Sequence, residues 1–231
     1  MGTVIITPET TKNPITHMGF CAGVCWGADV SDDQKNYERG LQCIKDGHGR
    51  VMEYANVEII LEDFSARVIR EWYTHIGGAP SRLQESTRYV DCANFKYVVP
   101  PTIYHNAKAC RVYMDIMSNI QSGYKALEKL GTPKEDAAMI LPLGMTTKII
   151  DKRNARSLMD MSRQRMCGRA YLEFRMLFQQ ICIALCEYSK EWETLIDMCY
   201  HPKCEEYGYC PEAKSCGRMP KRTWFLVDFM I

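Results

Sequence analysis

Short β-branched segments and longer helical segments follow one another in this chain without a regular strand–helix–strand repeat. A regular repeat predicts a parallel, doubly wound sheet, so its absence favours an α+β fold in which a mixed sheet packs against long helices. β-Branched and alternating residues predict strands at 56–64 and 145–151, and a third at 96–103 that two prolines interrupt. Apolar residues at helical spacing predict helices at 31–47, 106–130, 154–166 and 170–200.

Capping and turn residues indicate where several elements begin and end. Ser65 has the position of an N-cap for a helix whose inner side carries Val68, Ile69 and Trp72. The Gly-Gly-Ala-Pro sequence at 77–80 predicts a loop. The Thr-Pro-Lys-Glu sequence at 132–135 has the pattern of a capping box with proline at the first helical position, and predicts a short helix.

Two sets of side chains have structural interpretations. Lys148, Lys152 and Arg153 lie near the end of a predicted strand, and we interpret them as a solvated strand end rather than a binding site. The long helix at 106–130 has an apolar side that predicts packing in the core or at a subunit interface. That side carries Tyr113, Ile116 and Ile120.

The overall charge argues against some classes of partner. Twenty-nine basic and 28 acidic residues leave a formal net charge of +1, which favours neither a nucleic acid polymer nor a membrane surface. No apolar run approaches the roughly 20 residues of a membrane span, and the N-terminal residues lack the pattern of a signal peptide. We therefore expect a cytoplasmic protein that recognises anions through local clusters of Arg and Lys.

Twelve cysteines are a high number for a chain of 231 residues. In a reducing compartment they favour burial or metal binding over a disulfide framework. The last four lie with His201 in a stretch rich in Gly, Pro and Tyr, which suggests a tetrahedral zinc site; loop cysteines without a metal, or an adventitious disulfide, are the alternatives. We divide the chain into a catalytic domain at 1–198 and a Cys-rich tail at 199–231, whose candidate zinc ligands are Cys199, Cys204, Cys210 and Cys216.

Residues 81–89, Ser-Arg-Leu-Gln-Glu-Ser-Thr-Arg-Tyr, follow the glycine-rich loop and are rich in hydrogen-bond donors. Guanidinium groups bind phosphate in a bidentate manner, and the amides of a glycine-rich loop form an anion nest. The segment alone also fits a solvated surface turn. A second donor-rich region at 154–169 favours the phosphate-binding interpretation, because Leu158, Met161 and Arg165 fall on one helical stripe. An arginine that continues an apolar stripe is costly unless it meets an anion or an electron-rich ligand.

Several motifs in the same order resemble the flavin-dependent thymidylate synthases, whose signature is Arg-His-Arg, seven residues, then Ser-x-Arg. The resemblance covers roughly residues 20–190, and spaced elements in order are more specific than any one motif. The matching elements are Gly47-His48 with Glu53, Arg70–Ile76, Gln84-Glu85-Ser86-Thr87-Arg88-Tyr89, Leu141-Pro142-Leu143 and the run from Asn154 to Arg165.

The resemblance implies an FAD-dependent transferase that converts dUMP to dTMP with methylenetetrahydrofolate and NADPH. It implies an α+β homotetramer with active sites shared between subunits. Arg165 is then the catalytic residue beside the uracil, where it stabilises enolate-like charge. The implied nucleotide-binding residues are Glu71, Gln84, Glu85, Ser86 and Arg88, together with Arg165. The implied flavin- and folate-site residues are Cys25, His48, His75, Asn154, Arg156, Asp160 and Arg169.

The chain also departs from the family pattern. Thr74-His75-Ile76 stands where the family has Arg-His-Arg, and Ala138 stands where its members place a phosphate-binding arginine. We hypothesise that the amides of Gly77 and Gly78, together with Arg82, replace the missing arginines in cofactor binding. The departures leave open a flavin enzyme that methylates UMP or hydroxymethylates dUMP or dCMP, and a nucleotide-binding relative without catalysis.

Overall fold

The computed structural model describes residues 2–222 and shows an α+β fold, as predicted. Within this range the strands form one sheet in the order β1-β2-β4-β3, and each pairing is antiparallel. The expectation of a mixed sheet is therefore wrong. β4 enters between β2 and β3 and runs opposite to both, so no two parallel strands are neighbours. The strands are β1 (Thr3–Ile6), β2 (Asn56–Ser65), β3 (Ser81–Gln84) and β4 (Thr146–Asn154).

Helices make up most of the remaining structure. Among the described residues no helix combines the length and the apolar character that crossing a bilayer requires. Single turns of 3-10 helix lie at Gly49–Glu53 and Ala138–Ile140. The α-helices are α1 (Pro14–Cys25), α2 (Asp33–Lys45), α3 (Ala66–Tyr73), α4 (Pro101–Tyr104), α5 (Ala107–Lys129), α6 (Lys134–Ala137), α7 (Ala155–Arg165), α8 (Leu172–Tyr188), α9 (Lys190–Cys199) and α10 (Lys203–Tyr207).

Most predicted elements are confirmed near their expected limits. The Ser65 side chain accepts a hydrogen bond from the Val68 amide at 3.1 Å, so it caps α3 as expected. Val68, Ile69 and Trp72 are fully buried on the inner side of that helix. The single helix expected at 170–200 is instead two helices, because Ser189 adopts an extended conformation and caps α9.

Two local predictions are wrong because of proline. Only one isolated bridge, between Tyr97 and Met145, forms in the segment 96–103, and α4 begins at Pro101. A proline lacks the amide that a strand ladder requires. The capping box at 132–135 does not form, since Pro133 itself occupies the N-cap position and makes no side-chain cap hydrogen bond.

The main core lies between the sheet and helices α3, α7, α8 and α9. Val57, Ile59 and Leu61 alternate along β2 and are fully buried, as the period of a half-buried strand requires. A smaller second core includes Phe95, Met117 and Tyr124 and joins α5 to the segment before α4. The sheet contacts both α3 and α7, and residues at the ends of these helices form the site described next.

Candidate active site

Arg165, His75 and Glu71 meet at the end of α7. Arg165 is the last residue of that helix, and its Nε donates a hydrogen bond to His75 Nε2 at 2.8 Å. Its Nη1 lies 3.2 Å from Glu71 Oε2, and its guanidinium carbon lies 4.5 Å from the centre of the Phe174 ring. Leu158 and Met161 precede Arg165 on the same stripe and are buried. The predicted stripe is confirmed, and it draws the arginine into a half-buried position.

The charge of His75 is set by its surroundings. Burial, together with the positive charges of Arg165 and Arg153, lowers the pKa of this imidazole from 6.5 to about 4. A neutral ring is needed here because Nε2 accepts from Arg165, which leaves the ring proton on Nδ1. At neutral pH His75 therefore orients the arginine without neutralising its charge.

A buried ion pair lies directly beneath this group. Arg153 Nε and Asp151 Oδ1 are 2.6 Å apart, and both side chains are completely buried. The Trp72 indole donates to Asp151 Oδ2 at 2.9 Å, and the Arg153 guanidinium stacks 4.5 Å from the Trp72 ring. The interpretation of Arg153 as part of a solvated strand end is wrong, since β4 turns Asp151 and Arg153 towards the core while Lys148 and Lys152 face solvent.

The glycine-rich loop meets the start of α7. Asn154 caps α7 by accepting from the Ser157 amide at 2.8 Å. A Cβ placed on Gly78 would lie 2.7 Å from Asn154 Nδ2, and Gly78 has a φ of +75°. Both facts require glycine at this position. The structure thus brings Gly78 against Asn154, with Gly77 next to it in the loop.

A second part of α7 faces the turn that contains His48. Arg156 Nη1 pairs with Glu53 Oε1 at 2.6 Å, and the Arg156 side chain passes Gly49. His48 lines a cavity of about 420 Å³ with residues of α7, α9 and the segment that follows α9. Asp160, also on α7, is paired with Arg163 at 3.1 Å. His48 and Arg156 therefore lie near one another, and Asp160 lies on the same helix.

The segment 81–89 runs along β3 and then turns away from Arg165. Arg82 donates to the Tyr73 carbonyl at 2.8 Å and stacks on the Tyr73 ring, so part of its donor capacity is already used within the chain. Gln84 lies 3.3 Å from the Thr147 hydroxyl. Arg88 pairs with Glu135 at 2.8 Å, and the Ser86 hydroxyl accepts from the Arg88 amide.

Glu85 lines a separate cavity of about 360 Å³ with Thr87, Lys96 and Lys148. This cavity shares no residue with the one that Arg165 lines. The expected nucleotide-binding residues are therefore divided between two places on one chain.

Cys25 is the last residue of α1 and is exposed. Cys21, one turn earlier on the same 12-residue helix, is only partly buried. Cys25 faces solvent within the chain and meets none of the residues around Arg165.

The four tail cysteines do not assemble into a metal centre. Over residues 2–222 no group of three or more Cys, His, Asp and Glu side chains is placed to hold one ion. Cys199 lines the cavity of His48, whereas Cys204, Cys210 and Cys216 line the cavity of Arg165. The expected ligand set is thus split by the end of α9.

The cavity of Arg165 has a volume of about 510 Å³ and two walls. The end of α7 and the residues after it form one wall, and the residues that follow α9 form the other. Arg169 lies on the first wall and pairs with Glu212 on the second at 2.7 Å. Beyond the four cysteines, nothing in the sequence pattern indicates a role for the second wall, because loop residues carry no periodic signal.

The structure is that of an α+β protein with an arginine-rich cavity, at which a neutral imidazole holds the guanidinium of Arg165 in place. A family model described as thymidylate synthase complementing protein matches residues 8–188. The chain belongs to this family.

Individual relatives agree with the family match. The chain is 30% identical over 221 residues to a flavin-dependent thymidylate synthase of Nitratidesulfovibrio vulgaris, an alignment that covers 89% of this chain and 86% of the relative. It is 32% identical over 220 residues to the enzyme of that name from Geobacter sulfurreducens, and the alignment covers 91% of this chain and 92% of the relative. A third, from Clostridium tetani, is 28% identical over 243 residues and 94% of each chain. The family match ends at residue 188, before the second wall of the cavity.

Proposed function

We propose that the protein is an FAD-dependent thymidylate synthase that reductively methylates dUMP to dTMP with methylenetetrahydrofolate and NADPH. The observation that carries the proposal is the convergence of Arg165, His75 and Glu71 at the end of α7. Family membership and the printed names of the relatives support the flavin cofactor and the nucleotide substrate.

Arg165 is the proposed catalytic residue. Its guanidinium lies against the uracil ring and stabilises the enolate-like negative charge that develops as C6 accepts a hydride. Glu71 and His75 fix its orientation from two sides, and the neutral state of His75 leaves the positive charge of Arg165 undiminished. When bound, the reduced flavin supplies that hydride.

The residues around the cavity fit an anionic dinucleotide cofactor. Gly78 packs closely against Asn154, where any side chain at position 78 would collide, so the backbone of the glycine-rich loop lies directly beside this proposed flavin-site residue. Arg156, on α7, and Arg169, four residues after the end of α7, add positive charge. We propose that Asn154, Arg156, Asp160 and Arg169 hold the flavin, with His48, His75, Cys25 and the loop amides of Gly77 and Gly78. Arg82 contributes its remaining donors.

The proposed assembly is a homotetramer with shared active sites. Two observations support it. Glu85, a proposed nucleotide-binding residue, lines a cavity that shares no described residue with the cavity of Arg165, and Arg88, another, pairs with Glu135 on α6. In addition, Val112 and Ile116 lie one turn apart on the same side of α5 and are about half exposed, which leaves apolar surface on that helix without a partner in the described chain.

Sharing of sites has a direct test. Arg88→Ala and Arg165→Ala are each expected to abolish turnover, because each removes a residue of every site. Co-expression of the two variants then restores part of the activity, since some mixed sites receive both intact residues. Inactive mixed oligomers, with each variant correctly folded, would show that one chain carries the complete site.

The enzyme activity is tested by reduction of the bound flavin with NADPH, followed by release of tritium from C5-labelled dUMP in the presence of methylenetetrahydrofolate. We expect release by the wild-type protein and none by Arg165→Ala that retains flavin. Failure of the wild-type protein to bind FAD at all would overturn the proposal.

A second candidate is a flavin-dependent methylase or hydroxymethylase of UMP, dUMP or dCMP. It is favoured by the absence of arginine at positions 74, 76 and 138. The mass of the product formed from each nucleotide distinguishes methyl from hydroxymethyl transfer. A nucleotide-binding relative without catalysis would bind flavin but release no tritium from any of them.

A further inference from the structure

The residues that follow α9 contact the end of α7 at several points. We call residues 203–222 the tail segment. Arg218 of this segment donates to the Met166 carbonyl at 3.3 Å, Glu206 pairs with Arg163 at 3.0 Å, and Glu212 pairs with Arg169. The segment folds back on itself through a bridge between Cys210 and Lys221. It is therefore fixed against the first wall of the Arg165 cavity.

The cavity has an excess of positive charge. Among the described residues that line it, five are cationic and one, Glu212, carries a carboxylate. The cations are Arg163, Arg165 and Arg169 from the first wall, and Lys203 and Arg218 from the tail segment.

Most of these cations already have a carboxylate partner. Arg163 pairs with Asp160 and Glu206, Arg165 with Glu71, and Arg169 with Glu212. Arg218 lies 3.2 Å from Glu205, and both are more than one-third exposed. Lys203 is exposed and pairs with no acid in residues 2–222. Lys203, which is unpaired in this range, and Arg218, whose exposed ion pair can be replaced, line the same cavity. Two such cations are suited to binding a ligand phosphate.

We propose that Lys203 and Arg218 bind a phosphate group of the nucleotide ligand in the Arg165 cavity. The phosphate belongs either to the flavin cofactor or to the pyrimidine nucleotide, and in both cases the tail segment is part of the ligand site. The inference rests on the proposed function. Arg218 gives up its exposed contact with Glu205 when the ligand binds. The Lys203 ammonium group forms no ion pair within residues 2–222, so it binds the phosphate without first leaving a carboxylate.

The test uses the full chain and the variants Lys203→Gln, Lys203→Arg and Arg218→Gln. Lys214→Gln is the matched control, because Lys214 is an exposed lysine of the tail segment that does not line the cavity. Affinity is measured for FAD and for riboflavin, which lacks phosphate, and then for dUMP and deoxyuridine with the FAD-loaded protein. The melting temperature of each variant checks that the tail segment remains folded.

We expect Lys203→Gln and Arg218→Gln to weaken one phosphorylated ligand about tenfold or more, since each removes a charge-assisted hydrogen bond. Riboflavin and deoxyuridine bind as before, Lys203→Arg restores the affinity, and Lys214→Gln has no effect. Loss with FAD alone assigns the phosphate to the cofactor, and loss with dUMP alone assigns it to the substrate.

Two results would overturn the inference. Affinities for FAD and dUMP within twofold of wild type in Lys203→Gln and Arg218→Gln would exclude a role for the tail segment while leaving the proposed function intact. An equal loss of affinity for riboflavin and FAD would show that the variants disturb the cavity rather than a phosphate contact. A wild-type protein that binds neither FAD nor dUMP would instead refute the proposed function itself.

Discussion

Arg165 Nε donates a hydrogen bond to His75 Nε2 at 2.8 Å, across 90 residues of sequence. The contact joins the end of α7 to the residues after α3. It requires an imidazole that accepts at Nε2, and burial supplies one by lowering the pKa of His75 to about 4. The orientation of the proposed catalytic arginine thus depends on an uncharged neighbour.

Replacing Arg165 with lysine keeps the charge but removes the planar group that spans His75 and Glu71. We expect Arg165→Lys to lower turnover by about tenfold to a thousandfold, because an ammonium group cannot hold both partners and face the ligand at once. Tritium release from C5-labelled dUMP measures this effect. Arg70→Lys, an exposed arginine on α3, serves as the control and retains wild-type turnover. Equal turnover of Arg165→Lys and wild type would contradict the assigned role.

The depressed pKa of His75 predicts a loss of stability in acid. The unfolded chain binds a proton at this ring near pH 6.5, whereas the folded chain does so only near pH 4. Between these values the unfolded state holds more protons, so the free energy of unfolding falls as the pH decreases. For a half-buried ring the contribution is about 1–2 kcal/mol after solvent screening.

Urea denaturation at several pH values measures the effect of His75. His75→Gln keeps an acceptor for Arg165 but does not titrate, so its stability is expected to change less between pH 6.5 and pH 4 than that of the wild type. Parallel curves for the two proteins would show that His75 titrates normally in the folded chain.

The buried pair of Asp151 and Arg153 is expected to be sensitive to single substitutions. Asp151→Asn leaves Arg153 charged and without its partner in the core, which costs about 3–5 kcal/mol. Asp63→Asn, which breaks an exposed pair with Lys96, costs less than about 1 kcal/mol. The shift in the urea midpoint distinguishes the two. Similar small shifts in both variants would mean that water reaches Arg153.

Three helical glycines are expected to respond differently to alanine. A Cβ on Gly19 would lie 1.7 Å from the Asn36 carbonyl oxygen, and one on Gly40 would lie 2.0 Å from that of Ile15. α1 and α2 must therefore separate in Gly19→Ala or Gly40→Ala, at a cost of about 1–3 kcal/mol or more.

Gly123→Ala on α5 is the matched control, because its new Cβ would lie 3.6 Å from the nearest atom, in Ile140. Alanine also favours helix formation by about 0.5–1 kcal/mol relative to glycine, so this variant is expected to be as stable as the wild type or more so. Thermal melting measures all three variants. A stable Gly40→Ala protein would contradict the close contact of α1 and α2.

The thiols are expected to differ in reactivity. The Arg218 amide donates to the Cys216 sulfur and lowers the pKa of that exposed thiol, and the Arg218 charge adds to the effect. Burial raises the pKa of Cys182 to about 12. Iodoacetamide at pH 7.5 therefore modifies Cys216 before Cys182, because the thiolate is the reactive form. Peptide mass spectrometry measures both rates, and in urea they become similar. Fast labelling of Cys182 in the folded protein would contradict its burial.

Much of the local structure was predictable from the sequence. The alternation in β2, the N-cap at Ser65 and the stripe of α7 each depend on residues near one another in the chain. The interpretation of Arg153 as solvent-exposed is wrong, although alternation along β4 places it on the same face as the buried Ile149. Its charge suggested solvent, and only Asp151 and Trp72 make its burial possible. At 96–103 the prolines at positions 100 and 101 prevent a strand despite the apolar residues beside them, because proline lacks the amide that a strand ladder needs.

By itself the sequence determined the α+β class, the main elements and the candidate residues of a flavin-dependent enzyme, because these follow from local periodicity and from motif order. The tertiary structure alone decided which of those residues meet. It joined His75 to Arg165, paired Arg88 with Glu135, and brought Lys203 and Arg218 to the cavity from beyond the family match. Contacts of this kind depend on how the sheet and helices pack, and no local pattern in the chain records them.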